Sequence, residues 1–229
     1  MLAVENDSSV IIIDCGGDAI QRSLMVGLDP SKLLALIVTH EHADHVSGFP
    51  LLMERLWLLG RREPLPVYGI APAISQARRI HDAFNTSDWP GYPGVCWHTF
   101  AEAPNALVMA DDSWEITATP GKHAVPVVGL RVVDKRGGGV LAYSCDTEPS
   151  AAICKMAQGA KLLVHEATGE GFGHSSALQA ARCAAEAQVE RLVLVHLPPE
   201  AQLTEADLQA VRSVFAPTEK GQEGASYDF

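Results

Sequence analysis

The chain is short of positive charge and of long apolar runs, and each shortage counts against a class of function. Its 17 lysines and arginines face 28 acidic residues, for a formal net charge of −11. A surface of that sign is not built mainly to hold polyanions, so nucleic acid is disfavoured as a partner. No apolar stretch reaches the ~18 residues of a membrane span, and the first residues lack the basic, apolar, small-residue order of a secretory signal. The expectation is a cytoplasmic protein with no membrane association. The 5 cysteines, Cys15, Cys96, Cys145, Cys154 and Cys183, are odd in number and never spaced C-x-x-C. Neither a disulfide framework nor a thiolate zinc knuckle is expected, and the thiols are read as reduced and mostly buried.

With 47% apolar and 20% charged residues, what is present is an ordinary globular composition. The length fits a single domain over residues 1–229, with a polar tail from about residue 216. The pattern is organised around one stretch. An apolar run, Leu33-Leu34-Ala35-Leu36-Ile37-Val38, stops at once in Thr39-His40-Glu41-His42-Ala43-Asp44-His45. The run reads as a buried strand, and the polar segment after it reads as a loop of ligands at a sheet edge. His40 and His42 alternate while Asp44 and His45 are adjacent, so two ligand pairs address two neighbouring points. Imidazole and carboxylate without thiolate suit a catalytic zinc or a related first-row ion better than a structural one.

Other strands end in the same way. An apolar strand over residues 9–13 closes on Asp14-Cys15-Gly16-Gly17. Residues 50–59 are apolar at helical spacing and stop at Gly60; residues 66–69 read as a strand, and residues 71–84 as a helix. Residues 85–94, which hold Trp89-Pro90-Gly91-Tyr92-Pro93-Gly94, form either a lid or a connection. His81 and His98 lie outside any ligand pattern. The strand at residues 114–119 delivers His123, and two strands joined by the glycines of residues 134–139 deliver Asp146. Residues 161–164 deliver His165-Glu166, residues 175–187 form an alanine-rich helix, and residues 191–195 deliver His196. Alone, His123 or His196 is more often a core histidine than a ligand.

The H-x-H-x-D-H motif resembles the metallo-β-lactamase superfamily. The order of His123 and His196 along the chain after that motif, as the resemblance implies, reverses the core reading of both. The segments around His123 and Tyr143-Ser144-Cys145-Asp146-Thr147, then His165-Glu166-Ala167-Thr168 and Gly173-His174-Ser175-Ser176-Ala177, resemble its ribonuclease Z branch. The resemblance covers about residues 9–198. It implies an α/β fold, an αββα four-layer sandwich, with two Zn2+ ions at one edge and Mn2+ or Fe as alternatives. By that carry-over His40, His42 and His123 hold one ion, Asp44, His45 and His196 hold the other, and Asp146 bridges them. Asp44 also orients the nucleophile, a water shared by the ions, while Glu166 and His174 form the relay that protonates the leaving oxygen.

Three departures from that branch narrow the expectation. The branch's transfer-RNA-processing members carry a long arm, inserted in bacterial forms between the third histidine and the bridging aspartate; here a plain hairpin fills the interval. Leu197-Pro198-Pro199-Glu200 differs from the usual residues after the last histidine, and Cys145 stands where glycine is common. Residues 1–7 are too few for the strand and glycine turn that usually come first, so the N-terminus reads as abbreviated. The resemblance and its departures together imply a zinc-dependent phosphodiesterase acting on a small phosphodiester, a cyclic nucleotide or an RNA end, as a homodimer. Transfer RNA 3′-end processing, lactone or thioester hydrolysis, and a non-catalytic metal-binding regulator are the alternatives.

Overall fold

The computed structural model describes residues 1–197 and 203–229. Pro198, Pro199 and Glu200, part of the departure noted after the last histidine, lie outside the described residues. The chain divides into two compact units, Met1–Phe100 and Ala101–Phe229.

The first unit runs β1 (Leu2–Glu5), β2 (Val10–Ile13), α1 (Ala19–Met25), a 3-10 turn (Pro30–Lys32), β3 (Leu33–Val38), α2 (Ala43–Val46), α3 (Phe49–Leu58), β4 (Leu65–Gly69), α4 (Ala71–Asp82) and β5 (Val95–Thr99). Its sheet has the order β1-β2-β3-β4-β5. β1 is antiparallel to β2, and β2 to β5 are parallel. Parallel strands covered on both faces need unbroken apolar runs, and Ile11, Ile12, Ile13, Leu36, Ile37 and Val38 are all buried. Parallel direction brings the C-terminal ends of β2 and β3 to one edge, where β2 releases Asp14 and β3 the ligand loop.

β1 corrects the expectation that residues 1–7 are too few for a strand and turn. The side chain of Asn6 accepts hydrogen bonds from the backbone of Ser8 and Ser9, both at 3.1 Å, and so turns the chain without glycine. Residues 85–94 are fastened to α3. Trp57 donates its indole N–H to the Pro90 carbonyl at 3.1 Å, and the rings of Trp89 and Tyr92 lie 4.9 and 6.3 Å from it.

The second unit runs β6 (Ala106–Ala110), β7 (Trp114–Pro120), β8 (Val128–Asp134), β9 (Val140–Tyr143), α5 (Ala151–Met156), β10 (Leu162–Glu166), α6 (Ala177–Ala187), β11 (Arg191–Val195), α7 (Glu205–Val214) and β12 (Thr218–Lys220). Its sheet order is β12-β11-β10-β9-β8-β7-β6. β9 to β12 are parallel, and β6 to β9 alternate in direction. β7 therefore runs in the same sense as β9, β10 and β11, and all four end at one edge.

β12 corrects the expected polar tail. Thr218-Glu219-Lys220 carries no apolar signal, yet it pairs in parallel with β11 and buries Thr218, because an edge strand can be held by main-chain bonds alone. The cysteine expectation is also corrected in part. Cys154 on α5 and Cys183 on α6 form a disulfide across 29 residues of sequence, within the apolar cluster that the two helices share. Spacing rules miss such a pair because helix packing, not sequence proximity, brings the sulfurs together. Cys15 and Cys145 are buried thiols, as expected, whereas Cys96 is exposed. Burial pushes the Cys15 thiol up to about 12.

Candidate active site

In the first unit the strand ends place His40, His42, Asp44 and His45 on one loop and short helix. Asp14, just beyond β2, is fully buried and organises them. It accepts from the Thr39 backbone N–H and hydroxyl at 2.8 and 2.9 Å, and its Oδ2 lies 2.8 Å from His45 Nδ1. The imidazole therefore donates through Nδ1, which leaves Nε2 as its ligand atom, 3.5 Å from Asp44 Oδ2. Thr39 Oγ1 also sits 3.2 Å from His40 Nδ1. Since the hydroxyl donates to Asp14, it accepts from His40, and Nε2 is again the atom turned outward. His40 Nε2 and His42 Nδ1 lie 3.1 Å apart. Two nitrogens each about 2.0–2.1 Å from one tetrahedral ion stand at nearly that separation.

In the second unit the ends of β7, β9, β10 and β11 supply His123, Asp146, Glu166 and His196, and the loop before α6 adds His174. Ligand atoms of His123, Asp146 and His174 lie within 4.8 Å of one another, as do those of Glu166, His174 and His196. His123 Nδ1 donates to the Gly173 carbonyl at 2.7 Å. Thr168 Oγ1 donates to the His196 carbonyl at 2.8 Å and lies 2.9 Å from His196 Nδ1, from which it accepts. Both rings thus turn Nε2 outward, the arrangement metal-ligating histidines require.

Glu166 is buried and held on every side. Its Oε1 accepts from the backbone N–H groups of Thr147 and Ser175 at 3.1 and 3.0 Å and lies 3.1 Å from His174 Nδ1, while Oε2 accepts from Thr168 N at 2.8 Å. The adjacent His165 points away from this network, and burial holds its imidazole below the ordinary histidine range. Lys122 pairs with Glu148, whose carboxyl is lowered first by that hydrogen bond and then by the Gly173 N–H.

Backbone geometry explains residues that composition leaves unremarked. Asp14, Cys145 and His196, each just past a strand and beside a ligand, have φ of 61°, 53° and 51°. This left-handed region favours glycine, so Cys145 stands there under strain, and strain of this kind concentrates at functional sites. A Cβ on Gly16 would meet the Asp44 carbonyl oxygen at 1.7 Å, so glycine there lets the ligand segment pack against the β2 turn. The role of Asp14 was missed in the sequence; its signal was an acid closing an apolar strand just before two glycines. His81 and His98 stay outside the donor sets, His81 bonded to Asp82 and His98 stacked on Tyr68.

The donors fit a divalent cation by their chemistry: outward imidazole nitrogens, each fixed through the opposite nitrogen, next to carboxylates. Such donors at the strand ends of two sheets of this topology define a metal-dependent hydrolase of the metallo-β-lactamase fold. Residues 10–197 match the β-lactamase superfamily domain, and the chain belongs to that family. It is similar to ribonuclease Z of Methanothermobacter thermautotrophicus, 28% identical over 273 aligned residues that cover 95% of this chain and 87% of that protein. That alignment is longer than the chain itself, so the relative carries inserted segments with no counterpart here. Among solved structures, the fold resembles the metallo-β-lactamase fold protein YhfI of Bacillus subtilis, with TM-score 0.80, 23% identity, and coverage of 99% and 90% of the two chains. It also resembles human tRNase Z, short form, with TM-score 0.77, 20% identity, and coverage of 97% and 89%. Among the described residues, no helix is long and apolar enough to cross a membrane.

Proposed function

We propose that the chain is a zinc-dependent phosphodiesterase acting on a small phosphodiester, a cyclic nucleotide or an RNA end. The observation that carries this reading is the buried Glu166 carboxylate 3.1 Å from His174 Nδ1, beside two outward-facing ligand histidines. In this reading His40, His42 and His123 would hold one ion and Asp44, His45 and His196 the other, with Asp146 as a ligand the two would share. When bound, a pair of divalent cations supplies Lewis acidity and a nucleophile at neutral pH.

The chain's own residues do the rest. Asp14, Thr39, Thr168 and the Gly173 carbonyl hold the four tied imidazoles in the ligating tautomer. Asp44, exposed on the first turn of its helix, orients the attacking water. Glu166 accepts a hydrogen bond from His174 Nδ1–H and so aims Nε2 at the departing oxygen, to which the imidazolium form gives its Nε2 proton and returns to the neutral ring. Thr147, Ser175 and Thr168 fix that carboxylate through backbone N–H groups, so the ring cannot swing without breaking a buried network.

The hairpin of β8 and β9 supports the small-substrate side of the reading. It fills the interval between His123 and Asp146 with a turn of residues 134–139 and leaves no arm to grip a folded RNA. The homodimer and the cytoplasmic location belong to the same reading and rest on the resemblance and on composition. Hydrolysis of bis(nitrophenyl) phosphate tests it: the metal-loaded protein turns the substrate over, a chelator abolishes turnover, and zinc restores it. A metal-loaded protein inert to this and to a panel of cyclic and linear phosphodiesters, yet active on a lactone or thioester, sinks the reading. Efficient single-site cleavage of precursor transfer RNA favours the similarity to ribonuclease Z over the small substrate.

A further inference from the structure

The first unit carries a second site that the catalytic reading does not use. A groove of about 520 Å³ runs between α4 and β5, lined chiefly by Ser75, Arg78, Arg79, Asp82, Trp97 and Thr99. β5 is the edge strand of its sheet, so the groove is open along one side. On a chain with net charge −11, two adjacent arginines in one groove reverse the local sign. Among the described residues neither guanidinium forms an ion pair: Arg79 bonds the Gln76 amide oxygen, and Arg78 lies over the Trp97 ring, 5.3 Å from its centroid. Asp82, in the same lining, has its Oδ1 3.0 Å from His81 Nδ1 and pairs with neither arginine, so the groove keeps two guanidinium groups against one carboxylate.

The Trp97 ring is itself fixed. Phe49 and His81 pack edge-on to it at 5.4 and 6.2 Å between centroids. Arg78, over this fixed indole, and Trp97 both line the groove, which brings a planar cation and an aromatic ring to one wall. That combination suits a ligand with both a planar face and an anion: a base stacks on the guanidinium while a phosphate takes its N–H groups. Ser75 and Thr99 add hydroxyls suited to ribose or phosphate oxygens. Position argues for a strand rather than a single nucleotide. Thr99 pairs in register with Gly69, and Gly69 with Val38, so the groove ends at the sheet edge where β3 releases His40, two strands or roughly 10 Å away.

We propose that this groove binds the single-stranded RNA flanking a scissile phosphodiester, with Arg78 stacked between Trp97 and a base and Arg79 on the phosphate. The proposal rests on the phosphodiesterase reading for the word scissile, and on the groove alone for binding. It narrows the substrate class from any small phosphodiester to the end of an RNA strand. It also restricts the disfavour for nucleic acid, drawn from net charge, to the surface as a whole.

The test is fluorescence anisotropy of a labelled eight-residue oligouridylate on the metal-loaded chain, titrated at several salt concentrations, beside bis(nitrophenyl) phosphate hydrolysis by the same proteins. Arg78→Ala is expected to weaken binding about tenfold, the scale of one lost stacking contact. Arg78→Lys should also bind more weakly while keeping the salt dependence, because it keeps charge and loses the plane. Arg79→Ala should reduce the salt slope by about one contact. Chromogenic turnover should be unchanged in all three, which separates this site from catalysis. If the wild type turns over the chromogenic substrate but does not bind the oligomer, or if Arg78→Ala binds it unchanged, the proposal fails and the phosphodiesterase reading survives. If the oligomer binds through these arginines but no phosphodiester is hydrolysed, the groove stands and the catalytic reading falls. If the wild type binds a labelled extended peptide through Arg78 and Arg79 but does not bind the oligomer, the groove belongs to a protein strand and the RNA proposal is overturned.

Discussion

His45 Nδ1 lies 2.8 Å from Oδ2 of Asp14, a residue 31 positions earlier that touches no substrate and sits fully buried. The bond decides which nitrogen of His45 faces outward, and Thr39 extends the same control to His40. Asp14→Ala should therefore lower metal affinity by roughly ten- to a hundredfold, the usual effect of removing a ligand's outer partner. Asp14→Asn, which tolerates the positive φ, should fold well and lose less. Competition with a chromophoric chelator measures both. Affinity unchanged in Asp14→Ala would mean that Asp14 only supports the turn.

Removing His174 should cost activity in proportion to how badly the leaving oxygen needs a proton. His174→Ala is expected to keep its metal and lose roughly a hundred- to ten-thousand-fold toward a ribose or alkyl leaving group. It should retain far more toward nitrophenolate. Glu166→Gln should show the same selectivity more weakly, since it acts through the imidazole. Equal losses on both substrates, or lost metal, would place His174 in substrate positioning or metal support instead.

Gly173 carries the carbonyl that fixes His123, and its φ is 86°. A Cβ there would stand 2.6 Å from His123 Nδ1. Gly173→Ala should displace the ring, reduce metal occupancy and broaden the set of metals retained, all readable by elemental analysis. Full occupancy with wild-type turnover would show that the imidazole does not need this anchor.

Stability should fall on mild acidification partly through His165. Burial holds its folded-state pKa below the ordinary 6.5 of the unfolded chain, so below that value the unfolded state binds more protons. The neutral-imidazole contribution is thus complete above about pH 6.5 and is lost as pH falls toward the folded value. Denaturation midpoints of wild type and His165→Gln should converge as pH drops from 7 to 5. Parallel midpoints over that range would show that His165 is not a source of the acid sensitivity.

Much of the candidate site was legible in one dimension because its candidate ligands are the residues at which buried strands stop. Apolar runs closing on His40, Asp146, Glu166 and His196 announce both the strand and its cargo, and strand direction then puts each sheet's cargo on an edge of that sheet. Four features came only from the tertiary structure. Asp14 looked like a turn residue until β2 and β3 paired and set it beside Thr39 and His45. Cys154 and Cys183 looked like separate thiols until α5 packed on α6, and residues 218–220 looked like tail until β11 offered its edge. Arg78 and Trp97 likewise lie on different elements and carry no shared spacing. The physical reason is the same in each case. Sequence periodicity records which side of a strand or helix avoids water, whereas orientation of a ring, closure of a disulfide and pairing of an edge depend on contacts between elements that no local pattern encodes.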